Sequence, residues 1–400
     1  MARRAPANRI YPGFHNMKND VEVIRKVNTA MVLDILRRAD GELSRPLMAE
    51  TLGLSKVTVS TIVRSLSAKG LIAEVGMGGT DSRGGRRPVL VALDKERKRV
   101  LGARLGHSSI DLILSDITGR ELKRLRTAPK NQDRRYLLAA MVNEIMMSTN
   151  TPRDAVLGLV GTLGGAEAPP TCRIGGPESE PLPTEADLAR SLGFPAMLIN
   201  HTRARAFAEC WFNPDQEDQA NFFFINLGHR LDGVAARRGQ LDEAPCELGA
   251  CYLSALAYGD TDGELKTLDS VLGGRSLLSR AAAVFNRELD GRELEKIAAA
   301  GDERALELYR IFGYNLGCAL SLVVNMACLR KIVIGGQVSR AWKYFEPTMR
   351  QGLERHTILT DARRPVEVRL IRPELDSGLM GSLALALDHW VFHTDMLRGS

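Results

Sequence analysis

The chain has 400 residues, too many for one ordinary hydrophobic core, so it divides into two or three folding units. With 44% hydrophobic and 26% charged residues its composition is that of a globular protein, which excludes a disordered or fibrous chain. The formal charge of +6 is unevenly spread: residues 1–100 carry 19 Lys and Arg against 10 Asp and Glu, whereas the remaining 300 carry 35 against 38. A basic excess confined to the first quarter suits a polyanion, because neutralising phosphates releases condensed counterions. An anionic membrane surface would accept the same field.

No apolar stretch approaches the roughly 20 residues of a membrane helix. The longest, near residues 319–329, is interrupted by Ser321 and Asn325. The opening segment MARRAPANRIYPGFHN has basic residues without an apolar run behind them, unlike a secretory leader, so a cytoplasmic protein is expected. Six cysteines (Cys172, Cys210, Cys246, Cys251, Cys318 and Cys328) contain no CxxC pair and are expected to be reduced side chains without a disulfide or metal.

In chain order, residues 1–20 form a basic arm. Residues 28–39 predict a helix with Val32, Ile35 and Leu36 inward, stopped at Asp40-Gly41. Ser44 caps a short second helix through Glu50, with Arg45 and Pro46 in its first turn, where proline is tolerated. Gly53 turns the chain, and a third helix runs from Ser55 to Lys69 before Gly70 ends it. There Val59, Ile62, Val63 and Leu66 fall at i, i+3, i+4 and i+7 and form one buried stripe.

The opposite face of that helix carries Val57, Thr61 and Arg64, flanked by Thr58 and Ser65. Small, polar and positive side chains of this kind fit a major groove, where Thr and Val meet thymine methyls and Arg reaches guanine O6 and N7. Lys56 at the helix start suits phosphate. A strand over residues 71–75, a loop carrying Arg83, Arg86 and Arg87, and a strand over residues 89–93 complete the order of a winged helix-turn-helix. The candidate DNA-contacting residues are therefore Ser44, Arg45, Ser55, Lys56, Val57, Thr58, Thr61, Arg64, Arg83, Arg86 and Arg87. The same pattern also suits a small dimerising module with a solvated loop, and charge asymmetry with the polar helix face favours double-stranded operator DNA.

Beyond residue 97 the pattern changes to strands over residues 100–105, 110–116 and 121–127, a helix over 135–147, a strand over 155–160, a helix over 185–192 and a strand over 196–199. That alternation implies an α/β lobe. A second lobe starts near Asn200, with strands over 221–227 and 232–238, a long helix over 302–328 and a buried strand over 331–334. A last apolar helix spans 378–389. Two such lobes usually enclose a ligand cleft.

The strings LSRPLMAETLGLSKVTVSTIVRSLSAKGLIAEVG, GGRRPVLVALD, LGARLGHSSIDLILSDITG, INHTRARAFAECWF, APCELGA, IVIGGQVS and GLMGSLALAL resemble, in that order, the ROK family (repressors, open reading frames, sugar kinases), and specifically its repressor branch. The resemblance covers most of residues 28–390. It implies an α/β two-lobed sugar-kinase/actin-like domain preceded by an α+β winged helix-turn-helix DNA-binding domain. The implied divisions are 1–20 (arm), 21–97 (DNA binding), 98–199 (first lobe, with 376–400 packed back on it) and 200–375 (second lobe, effector binding and dimerisation). A homodimer or higher homo-oligomer and a sugar-like effector are implied with it.

Departures from the family pattern narrow the function. Where the family's kinases carry a DxGGT phosphate loop, this chain has Arg104-Leu105-Gly106-His107-Ser108, which puts a cation where magnesium needs a carboxylate. The kinases' sugar-binding Asn-Asp pair, whose Asp is the general base, aligns with Asn200-His201. Of the family's zinc motif only Glu247-Leu248-Gly249 persists; Ala250 takes a ligand position and no CxCGxxGC run follows. The expectation is a regulator, probed against a sugar kinase as the alternative, with no catalytic residue, no metal and no cofactor. Asn200, His201 and Glu247 are the candidate ligand-binding residues. Asn200 and Glu247 fit a polyol or an internal hydrogen-bond network equally, and His201 fits a sugar contact or a packed imidazole. A regulator without a small ligand, responding to a protein partner, is the remaining alternative.

Overall fold

A computed structural model describes residues 21–39, 41–78, 87–106, 109–129, 133–163, 184–213, 221–229, 231–237, 239–241, 257–259, 265–358, 365–375 and 378–392. The chain forms two compact units. One comprises residues 1–161, 183–198 and 382–400, and the other residues 162–182 and 199–381.

The first unit opens with α1 (Val21–Ala39), the two-residue strand β1 (Leu43–Ser44), α2 (Arg45–Leu52) and α3 (Lys56–Ala68). Strands β2 (Ile72–Met77) and β3 (Val89–Leu93) close a three-stranded sheet of order β1-β3-β2. Gly53 follows α2 with φ of 65° and Gly70 follows α3 with φ of 70°, left-handed backbone that glycine adopts without steric cost. At the second of these the Leu71 amide donates to the Leu66 carbonyl at 3.0 Å, satisfying an end carbonyl of the helix. Leu33, Leu36, Met48, Val59, Val63 and Val91 are all buried, so three helices and the sheet share one core. Helix α1 begins seven residues earlier than its sequence pattern suggests, and Leu33 is buried where Ile35 is half-buried.

The five-stranded sheet of this unit has the order β6-β5-β4-β7-β8, from β4 (Arg99–Leu105), β5 (Ile110–Asp116), β6 (Glu121–Thr127), β7 (Val156–Leu163) and β8 (Ala196–Asn200). Strand β5 is buried at every position, whereas β6 alternates between exposed and half-buried, as expected for an edge strand. Helices α4 (Arg134–Ser148) and α5 (Glu185–Leu192) lie between these strands in the chain; α5 is held by a capping box between Thr184 and Asp187.

The second unit has its own sheet, of order β11-β10-β9-β14-β15, from β9 (Phe222–Leu227), β10 (Leu231–Arg237), β11 (Gln240–Leu241), β14 (Lys331–Gly335) and β15 (Glu367–Leu370). Strand β14 runs parallel to both β9 and β15. A separate pair joins β12 (Ala257–Gly259) to β13 (Leu265–Thr267). Its helices are α6 (His201–Phe212), α7 (Leu268–Leu272), α8 (Gly274–Phe285), α9 (Gly291–Ala299), α10 (Glu303–Ala327) and α11 (Trp342–His356). Helix α10 buries Phe312, Leu316, Leu320 and Val324. Helices α10 and α11 meet along glycines: a Cβ at Gly317 would fall on the Met349 carbonyl and 2.7 Å from the Leu353 amide, and one at Gly313 would fall on the Phe345 carbonyl.

The last helix, α12 (Gly378–Leu387), ends two residues before the sequence pattern suggests and continues as a π-helical turn over Asp388–Phe392. In the first unit its residues lie on the sheet. A Cβ at Gly102 would sit 2.8 Å from the Leu383 amide, and one at Gly158 would sit 2.8 Å from the Trp390 ring, so the glycines make room for the helix and its terminal indole. The Phe392 ring stacks under the Arg37 guanidinium at 5.7 Å, tying the end of this segment to α1. Arg37 is in turn held by Asp34 at 2.9 Å. Burial pushes the Asp34 carboxyl up, but the charges of Arg37 and Arg38 outweigh it and hold the carboxyl below its usual range.

Because the atoms facing Gly317 are backbone, neither helix can yield cheaply. Gly317→Ala is expected to destabilise the protein by about 1 to 3 kcal/mol, seen as a lowered thermal unfolding midpoint. Gly291→Ala, which faces open space at the start of α9, is the control and should be neutral or stabilising by up to about 1 kcal/mol.

Candidate nucleic-acid interface

Helix α3 carries no acidic residue and is built in two halves. Val59, Ile62, Val63 and Leu66 are buried; Lys56, Val57, Thr61, Arg64 and Ser65 are exposed. Val57 is 76% exposed, an apolar side chain left open to solvent. Thr61 donates its hydroxyl to the Val57 carbonyl at 2.9 Å, which leaves its methyl and an oxygen lone pair facing outward. Among the described residues neither Lys56 nor Arg64 is held in an ion pair, so both charges are free for a ligand.

Two of the expected contact residues are engaged within the helix start. Ser55 Oγ accepts the Thr58 amide at 3.0 Å and shares a hydrogen bond with Thr58 Oγ1 at 2.8 Å. These hydroxyls satisfy an orphan amide and each other, so they set where α3 begins. Ser44 similarly accepts the Leu47 amide at 3.3 Å and caps α2. Arg45 is half-buried and pairs with Glu74 of β2 at 2.6 Å. Other exposed apolar side chains of the same domain are Leu47 on α2, and Val75 and Met77 on β2. Of the loop arginines, Arg87 is described and exposed, whereas Arg83 and Arg86 lie outside the described residues. Sequence pattern did not point to Glu74, because an acidic residue in a short strand carries no periodic signal; only the fold brings it to Arg45.

In the second unit, Asn200 caps α6, its Oδ1 accepting the Thr202 amide at 2.7 Å and the Arg203 amide at 3.4 Å. It is 7% exposed, so its carbonyl oxygen is committed to the helix. His201 is half-buried, with Nδ1 3.5 Å from Thr162 Oγ1. A Cβ at Gly378 would fall on the same ring and 2.9 Å from Thr162 Oγ1, so the imidazole is packed as well as hydrogen-bonded. Behind it, Asn226 accepts from Arg205 at 2.7 Å and donates to Thr202 at 3.2 Å. Glu247, Cys246 and Cys251 lie outside the described residues. Among the described residues no cluster of three or more His, Cys, Asp or Glu side chains could hold a metal ion, and no helix is long and apolar enough to cross a membrane.

The phosphate-loop position is occupied by an internal ion pair. Arg104 donates to Asp111, and to Ser109 Oγ at 2.6 Å; Asp111 also faces Arg126 at 3.4 Å. The one carboxylate at this position is thus spent on two guanidinium groups.

These features are those of an α/β domain of the sugar-kinase and actin-like class preceded by a winged helix-turn-helix. The model of the ROK family matches residues 100–389, and the chain belongs to that family. It is 23% identical over 401 residues to the DNA-binding transcriptional dual regulator NagC of Escherichia coli (strain K12), covering 94% of this chain and 95% of that protein. Its fold is similar to that of a ROK family transcriptional regulator, a homologue of the E. coli MLC protein, with a TM-score of 0.73 at 20% identity over 92% of this chain and 98% of that one. It is also similar to the ROK hexokinase from Thermus thermophilus, with a TM-score of 0.55 at 22% identity, over 72% of this chain and 97% of the hexokinase.

The cap at Ser55 should be separable from any contact it makes with a ligand. Ser55→Ala is expected to cost about 1 kcal/mol of stability in thermal or denaturant unfolding, while Ser55→Asn, which keeps an acceptor at the cap, should cost only a few tenths. Equal losses in both variants would mean that the cap does not set the start of α3.

Proposed function

We propose that this chain is a DNA-binding transcriptional repressor that reads operator DNA with the exposed face of α3 and is modulated by a sugar-like effector. The observation that carries the reading is the face itself: Val57, Thr61 and Arg64 point outward from a capped helix that lacks acidic residues. A helix of this kind admits a major groove, with Arg64 toward a guanine edge and Val57 toward a thymine methyl. Lys56 and Arg87 are assigned to phosphate, as are Arg83 and Arg86 of the loop. Relatives similar over nearly the whole chain are named as regulators, which supports the same reading.

In this reading residues 21–97 are the DNA-binding domain, residues 98–199 with 376–400 the first lobe, and residues 200–375 the second. The protein acts in the cytoplasm as a homodimer, because one small module buries too little for selective binding and two recognition helices meet successive major grooves. It is not an enzyme: phosphoryl transfer depends on positioned metal and phosphate donors, and Arg104 occupies the place where a carboxylate would serve them. Asn200, His201 and Glu247 are assigned to the effector. With Asn200 engaged in capping and His201 in packing, an effector acts there by its differential affinity for two states of the protein.

Selection of duplexes from a random pool by the purified full-length protein, followed by binding measurements at several salt concentrations, tests the central claim. A sequence preference that survives at higher salt is expected; binding with no preference overturns it. Arg64→Ala is expected to weaken binding to the selected site by about 1 to 3 kcal/mol and to relax the preference at one base pair. An equal loss on every duplex would reassign Arg64 to phosphate. Thermal shift against a sugar library tests the effector, since a ligand of the native state must raise the melting temperature.

A further inference from the structure

Arg45 stands at the first position of α2, the helix that crosses the DNA backbone when the following helix enters the groove. Its side chain does not point freely at solvent. In the small sheet Leu43 and Glu74 flank Val91 from opposite sides, and Arg45 reaches over β3 to donate from Nη2 to Glu74 Oε1 at 2.6 Å. Among the described residues Glu74 is the single partner of this guanidinium. The pairing uses one oxygen and one nitrogen, and Arg45 Nε is buried without a hydrogen-bond partner among the described residues. A guanidinium has five donors in a fork that matches phosphate bidentately. The carboxylate therefore leaves the fork mostly unmatched.

The side chains of the pair are 36% and 54% exposed. An ion pair so open to water contributes little to fold stability. Its larger consequence is electrostatic: Glu74 cancels a cation at the start of α2. Next to Glu74 the strand is irregular, its register with β3 shifting between Glu74 and Gly76, while Val75 and Met77 are exposed. The carboxylate is thus exposed on a strand that packs against α3.

We propose that Glu74 is a specificity-setting residue: an internal stand-in for phosphate that occupies Arg45 when the protein is free or loosely bound, and yields it to the backbone only when α3 is seated. This rests on the DNA-binding reading above. Loose, sequence-independent binding is governed by how many phosphates the protein neutralises. With Arg45 neutralised internally, the loose complex has one phosphate contact fewer. A seated helix brings the backbone within reach of the fork, and the exchange of partners then favours the specific complex.

The test uses the full-length protein, a mixed-sequence duplex of roughly three helical turns and the duplex obtained by selection. Glu74→Gln keeps the shape and removes the charge; Glu74→Ala removes both. Each is expected to bind the mixed duplex about 3- to 10-fold more tightly at moderate salt, with the slope of log K against log salt steeper by about 0.9. Binding to the selected duplex should gain less, so that the ratio between the two falls. Adding Arg45→Ala to either variant should abolish the gain. Three outcomes would overturn the proposal: unchanged or weaker mixed-duplex binding by both Glu74 variants at an unchanged unfolding midpoint; an equal gain in the Arg45→Ala background, which would be a general field effect; or an equal gain on both duplexes. A wild-type protein that binds no duplex removes the DNA-binding reading and the proposal with it, whereas a wild type that binds while Glu74→Gln changes nothing removes the proposal alone.

Discussion

The division of α3 into two faces is the constraint on which the rest depends. Four apolar side chains at helical spacing must be buried against α1, α2 and the small sheet, and this requirement fixes the helix's rotation about its own axis. Once the rotation is set, Val57, Thr61 and Arg64 have only one direction in which to point. The caps decide the helix's position along that axis. Ser55 starts it through the Thr58 amide, and Gly70 ends it in left-handed backbone. The direction of the outward face is thus a by-product of packing at the other, and a mutation in the buried stripe would disturb it without touching an exposed residue.

Much of the first unit was legible in the chain because its signals are local. Serines at the starts of helices, glycines at their ends and a four-residue apolar stripe are all readable within a dozen residues. Strands β3, β5 and β6 and helix α5 fall on their expected boundaries for the same reason, each being bracketed by turn residues or a cap. The second unit was less legible. Helices α6 to α9 and α11 and strands β11 to β13 and β15 were not expected. Helix α11 is strongly polar and contains Pro347, yet its buried Phe345, Met349 and Leu353 fall at i, i+4 and i+8, so an apolar stripe was present in the sequence and went unused. What makes it a helix is its contact with α10, where glycines on both helices allow backbone to approach backbone. Such a contact joins residues more than 30 positions apart, so which helix faces which is not readable from either segment alone.

The candidate effector residues illustrate a different limit. Asn200 and His201 were identified through a family resemblance, which preserves position but not employment. Asn200 now spends its carbonyl on two amides of α6, and His201 is packed beneath Gly378 with Thr162 as a neighbour. Both uses are compatible with a ligand that meets the remaining polar atoms, such as the Asn200 amide group, but neither requires one. At the kinase loop the change is more decisive. Arg104 and Arg126 converge on Asp111, so the position holds a cluster of two cations and one carboxylate with a net positive charge, rather than merely lacking one carboxylate. Simple reversal of Arg104 to Asp would leave Asp111 facing a second carboxylate, which disfavours recovery of a metal site by one substitution.

Family membership and the DNA-binding reading rest on separate parts of the chain. The family match begins at residue 100, after the last strand of the small sheet, and includes none of the side chains assigned to DNA. The hexokinase similarity extends over 72% of the chain, which shows that the two α/β units form a fold without commitment to one activity. What distinguishes a regulator from a kinase here must therefore come from the first quarter and from the altered loop, and these two observations are physically independent. One is an excess of positive charge with a helix whose outward face is polar and basic; the other is an internal Arg104–Asp111 ion pair at the position that the resemblance aligns with the kinases' phosphate loop. Each alone admits another explanation, since a basic appendage can sit on an active kinase and a disabled kinase can lack any appendage. Their occurrence in one chain is what the repressor reading requires: a helix face suited to DNA, joined to a domain of the kinase fold that carries Arg104 paired with Asp111.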